Sequence, residues 1–181
     1  VADLVRRIPM RDGPALKYVA IGAVILAFSG LTALRAATWG NPLQLAMELV
    51  DKSPHSSRAS NDLATLYIAM SDSNPNSPFF AMGAAEFERS SLLPNASPLP
   101  EQGLILMAAT TGQPVKDEWW NRLIHKGRTR PISPQEMMSV AGLLEQRYNG
   151  IALDDRRLSE AYGTLLERKR MPAYMYARYG D

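Results

Sequence analysis

Cysteine is missing from the 181 residues. Its absence excludes disulfides and thiolate metal sites and is compatible with a bacterial periplasm. Histidine is nearly missing: His55 and His125 lie 70 residues apart, so no metal-ligand spacing exists, and no sequence context builds a hydrolase triad around either. No glycine-rich phosphate loop occurs, since Gly112-Gln113-Pro114 reads as a turn. Net charge is small, +2 overall. Residues 1–35 carry five Lys and Arg against two Asp, which leaves 15 cations and 16 anions for the rest. The distal part is therefore nearly neutral, and no nucleic-acid partner is expected. Phenylalanine is scarce at four, whereas proline numbers 13, a balance that favours short helices separated by turns over strands. No catalytic constellation and no cofactor motif is legible.

What is present is one long apolar run, Tyr18 to Leu34, without a charged residue and bounded by Lys17 and Arg35. At 1.5 Å per residue it reaches about 25 Å, and Ala15, Leu16 and the stem of Lys17 extend it to about 30 Å of hydrocarbon. Residues 18–35 read as a transmembrane helix with the lipid bilayer as its surroundings. Alternatives are a buried core helix and a signal peptide, although Leu34-Arg35-Ala36-Ala37 is a poor cleavage site. Arg6, Arg7, Arg11 and Lys17 precede the run, and after Arg35 no cation follows before Lys52. The positive-inside rule then makes residues 1–17 a cytoplasmic basic loop and puts 36–181 across the membrane, with Trp39 at the interface. Ala20, Ala23, Ala27 and Gly30 form a small-residue stripe suited to other transmembrane helices. Residue 1 is Val, so the chain is expected to be part of a longer one.

Beyond the run, the pattern is all-α. Asn41-Pro42 opens a helix that ends at Ser53-Pro54, and another begins near Ser57 and contains Leu63, Ala64, Leu66 and Tyr67. After the turn cluster 71–78, a helix runs from Pro78 to Leu93, with Phe79, Met82, Ala85 or Gly83, and Phe87 as its apolar face. Residues 98–111 and 115–126 form two more. Ser133-Pro134-Gln135-Glu136 is a capping box, and Asp154 caps a helix whose Leu158, Ala161, Tyr162, Leu165 and Leu166 share a face. Pro172 opens a last helix. The first helices of successive pairs start near Ser57, Pro98, Pro134 and Pro172, at intervals of 41, 36 and 38 residues, a helical-solenoid period.

Residues 57–94 resemble a tetratricopeptide repeat. Leu63-Ala64 with Tyr67 matches the core of its first helix, Gly83, Phe87 and Ser90 match the second, and Pro94 is the closing proline. The turn between the helices is longer than usual, and the later pairs keep only period and caps. The joint pattern, in which a spanning helix ends Thr-Ala-Leu-Arg and Trp-Gly-Asn-Pro and repeats follow, resembles bacterial polytopic membrane proteins with a carboxy-terminal tetratricopeptide domain. Among these are protein O-mannosyltransferase-like glycosyltransferases that use lipid-linked sugars. That resemblance implies an all-α fold, one transmembrane helix followed by a tetratricopeptide-like hairpin solenoid at a bacterial inner membrane. It implies a scaffold binding a protein or peptide partner in its groove, or else the non-catalytic tail of such a transferase, with the active site upstream.

Two constellations are candidates for that binding. Arg58, Asn61 and Thr65 recur at i, i+3 and i+7, away from Leu63, Leu66 and Tyr67. On a groove-lining first helix, an arginine and an amide suit a peptide's backbone and acidic groups. Trp119-Trp120 with Arg122, Lys126, Arg128 and Arg130 combines indoles and cations suited to a sugar, an acidic lipid head group or a nucleic acid. The plainer readings are a solvated polar face for the first, and core indoles with helix-end cations for the second.

Overall fold

The computed structural model describes residues 14–168 together with residues 173, 176 and 177. The basic loop before Pro14 and most of the helix expected from Pro172 lie outside the described residues. Among those described there are eight helices and no strand. They are α1 (Pro14–Trp39), α2 (Pro42–Lys52), α3 (Ser57–Met70), α4 (Pro78–Ser91), α5 (Leu99–Thr110), α6 (Asp117–Thr129), α7 (Pro134–Tyr148) and α8 (Asp155–Leu166). Compact units form at Val1–Leu45 and Ala46–Asp181. The boundary between them falls inside α2, and α1 continues through Trp39.

In the first unit, α1 runs 26 residues, about 39 Å. Its stretch Leu16–Ala37 is long and apolar enough to cross a membrane by length and composition, and none of it is buried. Phe28 is 67% and Leu26 74% exposed. A shallow groove follows Val24, Ile25, Phe28, Ser29, Thr32, Ala33 and Ala36. At 100° per residue this is the side opposite the Ala20, Ala23, Ala27 and Gly30 stripe.

Helix ends in the rest follow their local chemistry. Asn41 Oδ1 accepts from Gln44 N–H at 3.1 Å, Ser56 Oγ from Ala59 N–H at 3.3 Å, and Asp154 Oδ1 from Arg157 N–H at 3.0 Å. Before α7, Gln135 N–H donates to Ser133 Oγ while Ser133 N–H donates to Glu136 Oε2 at 2.9 Å. Pro42, Pro78 and Pro134 each occupy a first helical position, where a missing N–H costs nothing.

Packing in the second unit joins chain neighbours and next-but-one helices. α3 lies against α4 and α5; α5 lies against α4, α6 and α7; α8 lies against α6 and α7. One core results, with Leu104, Ile105, Leu123, Leu143, Ala161, Tyr162 and Leu165 at most 1% exposed. Each such aliphatic side chain contributes about 1.5–3 kcal/mol relative to exposure. α4 buries Phe80, Gly83, Phe87 and Ser90, while Met82 and Ala85 face out. Its inward face is turned from the expected one because α3 approaches at Gly83, where an added Cβ would meet Ile68 Cδ1 at 2.6 Å and Ala64 O at 3.1 Å.

The even-numbered helices are joined by polar side chains. Trp119 Nε1–H and Arg122 both donate to Glu88 across α6 and α4. From α8, Arg157 donates to Asn121 Oδ1, and Glu160 accepts from Arg128 at 2.9 Å. After α8, Arg168 donates to Gly127 O and Arg130 O. These pairs are 31 to 41 residues apart in the chain.

Candidate functional site

α3 and α5 leave an opening between them. α3 turns Asn61, Thr65 and Ile68 to one side, and α5 turns Leu99, Gln102, Gly103, Leu106, Met107 and Thr110 toward them, with Phe87 of α4 beneath. They line a groove of about 390 Å³, within the range of ligand-holding clefts. α5 comes close to α4 because Gly103 has no side chain; a Cβ there would meet the Phe87 ring at 2.5 Å. Gly142 of α7 leaves room for the Gln102 amide.

No charged side chain lines the groove. Its floor is apolar and its rim consists of two amides and two hydroxyls. Thr65 Oγ1 donates to Asn61 O and Thr110 Oγ1 to Leu106 O, each at 2.8 Å. Asn61 Oδ1 is buried and receives no hydrogen bond, a costly state for an acceptor that has left water.

Of the residues expected to bind a partner, Asn61 and Thr65 therefore meet in one groove. Arg58 is exposed at the start of α3 and is not part of its lining. The second constellation is taken apart by packing. Trp119 is 6% and Trp120 2% exposed, so both indoles are core side chains, and an open indole platform at this position is corrected to a packing role. Lys116 stands 5.2 Å over the Trp119 ring. Arg128 is outward and paired with Glu160, and Arg130 Nε approaches Glu136 Oε1 at 3.5 Å. Gln102, Leu106 and Thr110 went unnoticed in the sequence. Their spacing of four on an otherwise apolar helix is the available signal.

A buried ionic cluster lies beside the groove on the other face of α5. Glu101 is 0% exposed, and Lys126 Nζ donates to its Oε1 at 2.6 Å and to the carbonyls of Ser91 and Ser97 at 3.0 and 3.1 Å. Arg122 Nε is 3.7 Å from the same carboxylate, and Glu101 Oε2 has no partner. Burial pushes the Glu101 carboxyl above the ordinary carboxylate range and the Lys126 ammonium below its own, despite their mutual attraction. At α7, burial also pushes Glu136 upward, but the hydrogen bonds from the Ser133 hydroxyl and N–H outweigh it and hold Glu136 below the ordinary range. Every charge in the Glu101 cluster points at another part of the same fold, so the cluster is structural. Among the described residues no group of three His, Asp or Glu is placed to hold a metal. Comparison of the chain with protein-family models, curated proteins and solved structures returns no match.

Proposed function

We propose that the chain is a membrane-anchored helical repeat module that captures a protein or peptide partner in the groove between α3 and α5 and scaffolds an assembly around it. The observation that carries this reading is the groove itself: the first helices of successive hairpins stand side by side with an uncharged opening between them. A tetratricopeptide-like stacking of α3–α4, α5–α6 and α7–α8 accounts for it. In such a stack each hairpin covers the apolar face of the last, and equivalent helices meet at intervals of one repeat. The polar bonds joining α4 to α6 and α6 to α8 support that register, because Trp119 and Glu88 are 31 residues apart and Arg157 and Asn121 are 36.

The anchor in this proposal is α1, with residues 1–17 on the cytoplasmic side of a bacterial inner membrane and the repeats in the periplasm. The supports are the uncovered apolar length of Leu16–Ala37 and the cations ahead of it. The cysteine-free sequence makes the test direct. Ala2→Cys and Glu145→Cys are introduced singly and treated in intact cells with a membrane-impermeant maleimide. Labelling of Glu145→Cys alone is expected, with Ala2→Cys reacting only after permeabilisation. Labelling of both from one side, or release of the protein by alkaline carbonate, overturns the anchor and the compartment together.

A further inference from the structure

We infer that α2 carries a lipid-binding surface, a strip through Leu45 and Leu49 that enters the headgroup–acyl boundary of the bilayer crossed by α1. The inference rests on reading α1 as the anchor and adds a second, shallow lipid contact that is independent of the groove.

α2 is apolar over more of its circumference than the protein covers. At 3.6 residues per turn, Gln44, Glu48, Asp51 and Lys52 gather within about 100° of arc, and apolar side chains hold the remainder. Ala46, in the middle of the apolar arc, is buried; Leu49 on one flank stays 47% exposed and Met47 on the other 50%. No other described helix shares an extensive packed face with α2.

Lipid is the apolar phase within reach. Trp39, the last residue of α1, is 66% exposed, and tryptophan favours the headgroup layer. Gly40 N–H donates to Ala36 O at 3.0 Å and Asn41 already caps α2, so no slack chain separates the two helices. From Trp39 to Pro42 the chain spans at most about 10 Å. Leu45 follows about 5 Å further along α2, and Leu49 about 10 Å. An amphipathic helix so close to a spanning one meets the interface with its apolar side.

Charge selects the flank. Lys52 projects within about 20° of Leu45 around the helix, and its four-carbon stem lets the ammonium reach a lipid phosphate while the stem covers apolar surface. Its pair with Glu48 is exposed and holds it weakly. The Met47 flank is bordered instead by Asp51, about 40° away, whose carboxylate the phosphates repel. Leu45 and Leu49 therefore face lipid, and Met47 does not.

The test uses the full chain in nanodiscs of phosphatidylethanolamine and phosphatidylglycerol. Leu26→Cys, Met47→Cys and Leu49→Cys are made singly in the cysteine-free sequence and coupled to an environment-sensitive fluorophore. Quenching is then measured with nitroxide lipids labelled either just below the headgroup or near the acyl end. The probe at position 49 should be quenched at least twofold more than the probe at 47, and more by the shallow nitroxide than by the deep one. The probe at 26 should respond most to the deep nitroxide. Quenching at 49 no stronger than at 47 overturns the α2 inference and, with 26 still quenched, leaves the anchor standing. A blue shift at 49 without quenching also overturns it, because protein and not lipid then covers the strip. If the probe at 26 is not quenched by either lipid, the anchor reading fails and the α2 contact fails with it.

Discussion

α1 and α5 are the two most apolar of the described helices, and their surroundings are opposite. In α5, Leu104 and Ile105 are 0% exposed, whereas in α1 Leu26 and Phe28 keep most of their surface uncovered. Length separates them. α5 has 12 residues, about 18 Å, and hairpins from both sides can cover it; α1 has 26, about 39 Å, the scale of a bilayer. Charge follows the same division. α5 holds Glu101 in full burial because Lys126 reaches it from α6, while α1 carries its cations Lys17 and Arg35 toward its ends. An apolar helix tolerates a buried charge when a protein neighbour supplies the counter-charge, and lipid supplies none.

The comparison breaks first at that ion pair. Lys126→Ala leaves Glu101 buried with only Arg122 nearby, and a loss of about 3–5 kcal/mol is expected in chemical denaturation. A loss under about 1 kcal/mol would mean that α5 buries the acid without needing its partner. Next comes the apolar surface itself. Leu104→Ala should cost about 2–5 kcal/mol as a core truncation. Leu26→Ala, the same change in α1, should leave the denaturation midpoint of the second unit where it was. Equal effects would erase the distinction between the two helices.

A smaller effect appears in the pH dependence. The folded-state pKa of Glu101 is raised above its unfolded value, so its cost is absent at pH below the ordinary carboxylate range and grows as pH rises through the raised value. The stability of wild type minus that of Glu101→Gln should therefore decline from acid toward neutral pH. A rising difference would mean that attraction to Lys126 overcomes burial. Smallest of all is Arg128→Ala: its pair with Glu160 is largely solvated on the arginine side, and a change within about 0.5 kcal/mol in thermal unfolding is expected. A larger change would give the outer seam a share of stability now assigned to the core.

Legibility varies with the distance over which an interaction acts. The caps at Asn41, Ser133 and Asp154 were readable because donor and acceptor are two or three residues apart. Asn61 and Thr65 were readable as a polar pair on one face of α3, whereas Arg58 lies outside the groove lining, since face alone does not say how far along a helix a groove extends. The Trp119-Trp120 pair was ambiguous for a similar reason. Its fate depends on Glu88, 31 residues away. The α5 half of the groove was hidden because α5 reads as uniformly apolar, and Glu101 gave no sign that it would be buried.

By itself, then, the sequence determined the all-α class, the helix starts and the one stretch suited to lipid, because caps, prolines and hydropathy act within a turn or along one segment. Only the tertiary structure decided which face of α4 points inward, which indoles are core, and which amides and hydroxyls share a groove. Those outcomes depend on close approaches at Gly83 and Gly103 and on partners such as Glu88, 31 residues from Trp119, and no local pattern encodes them.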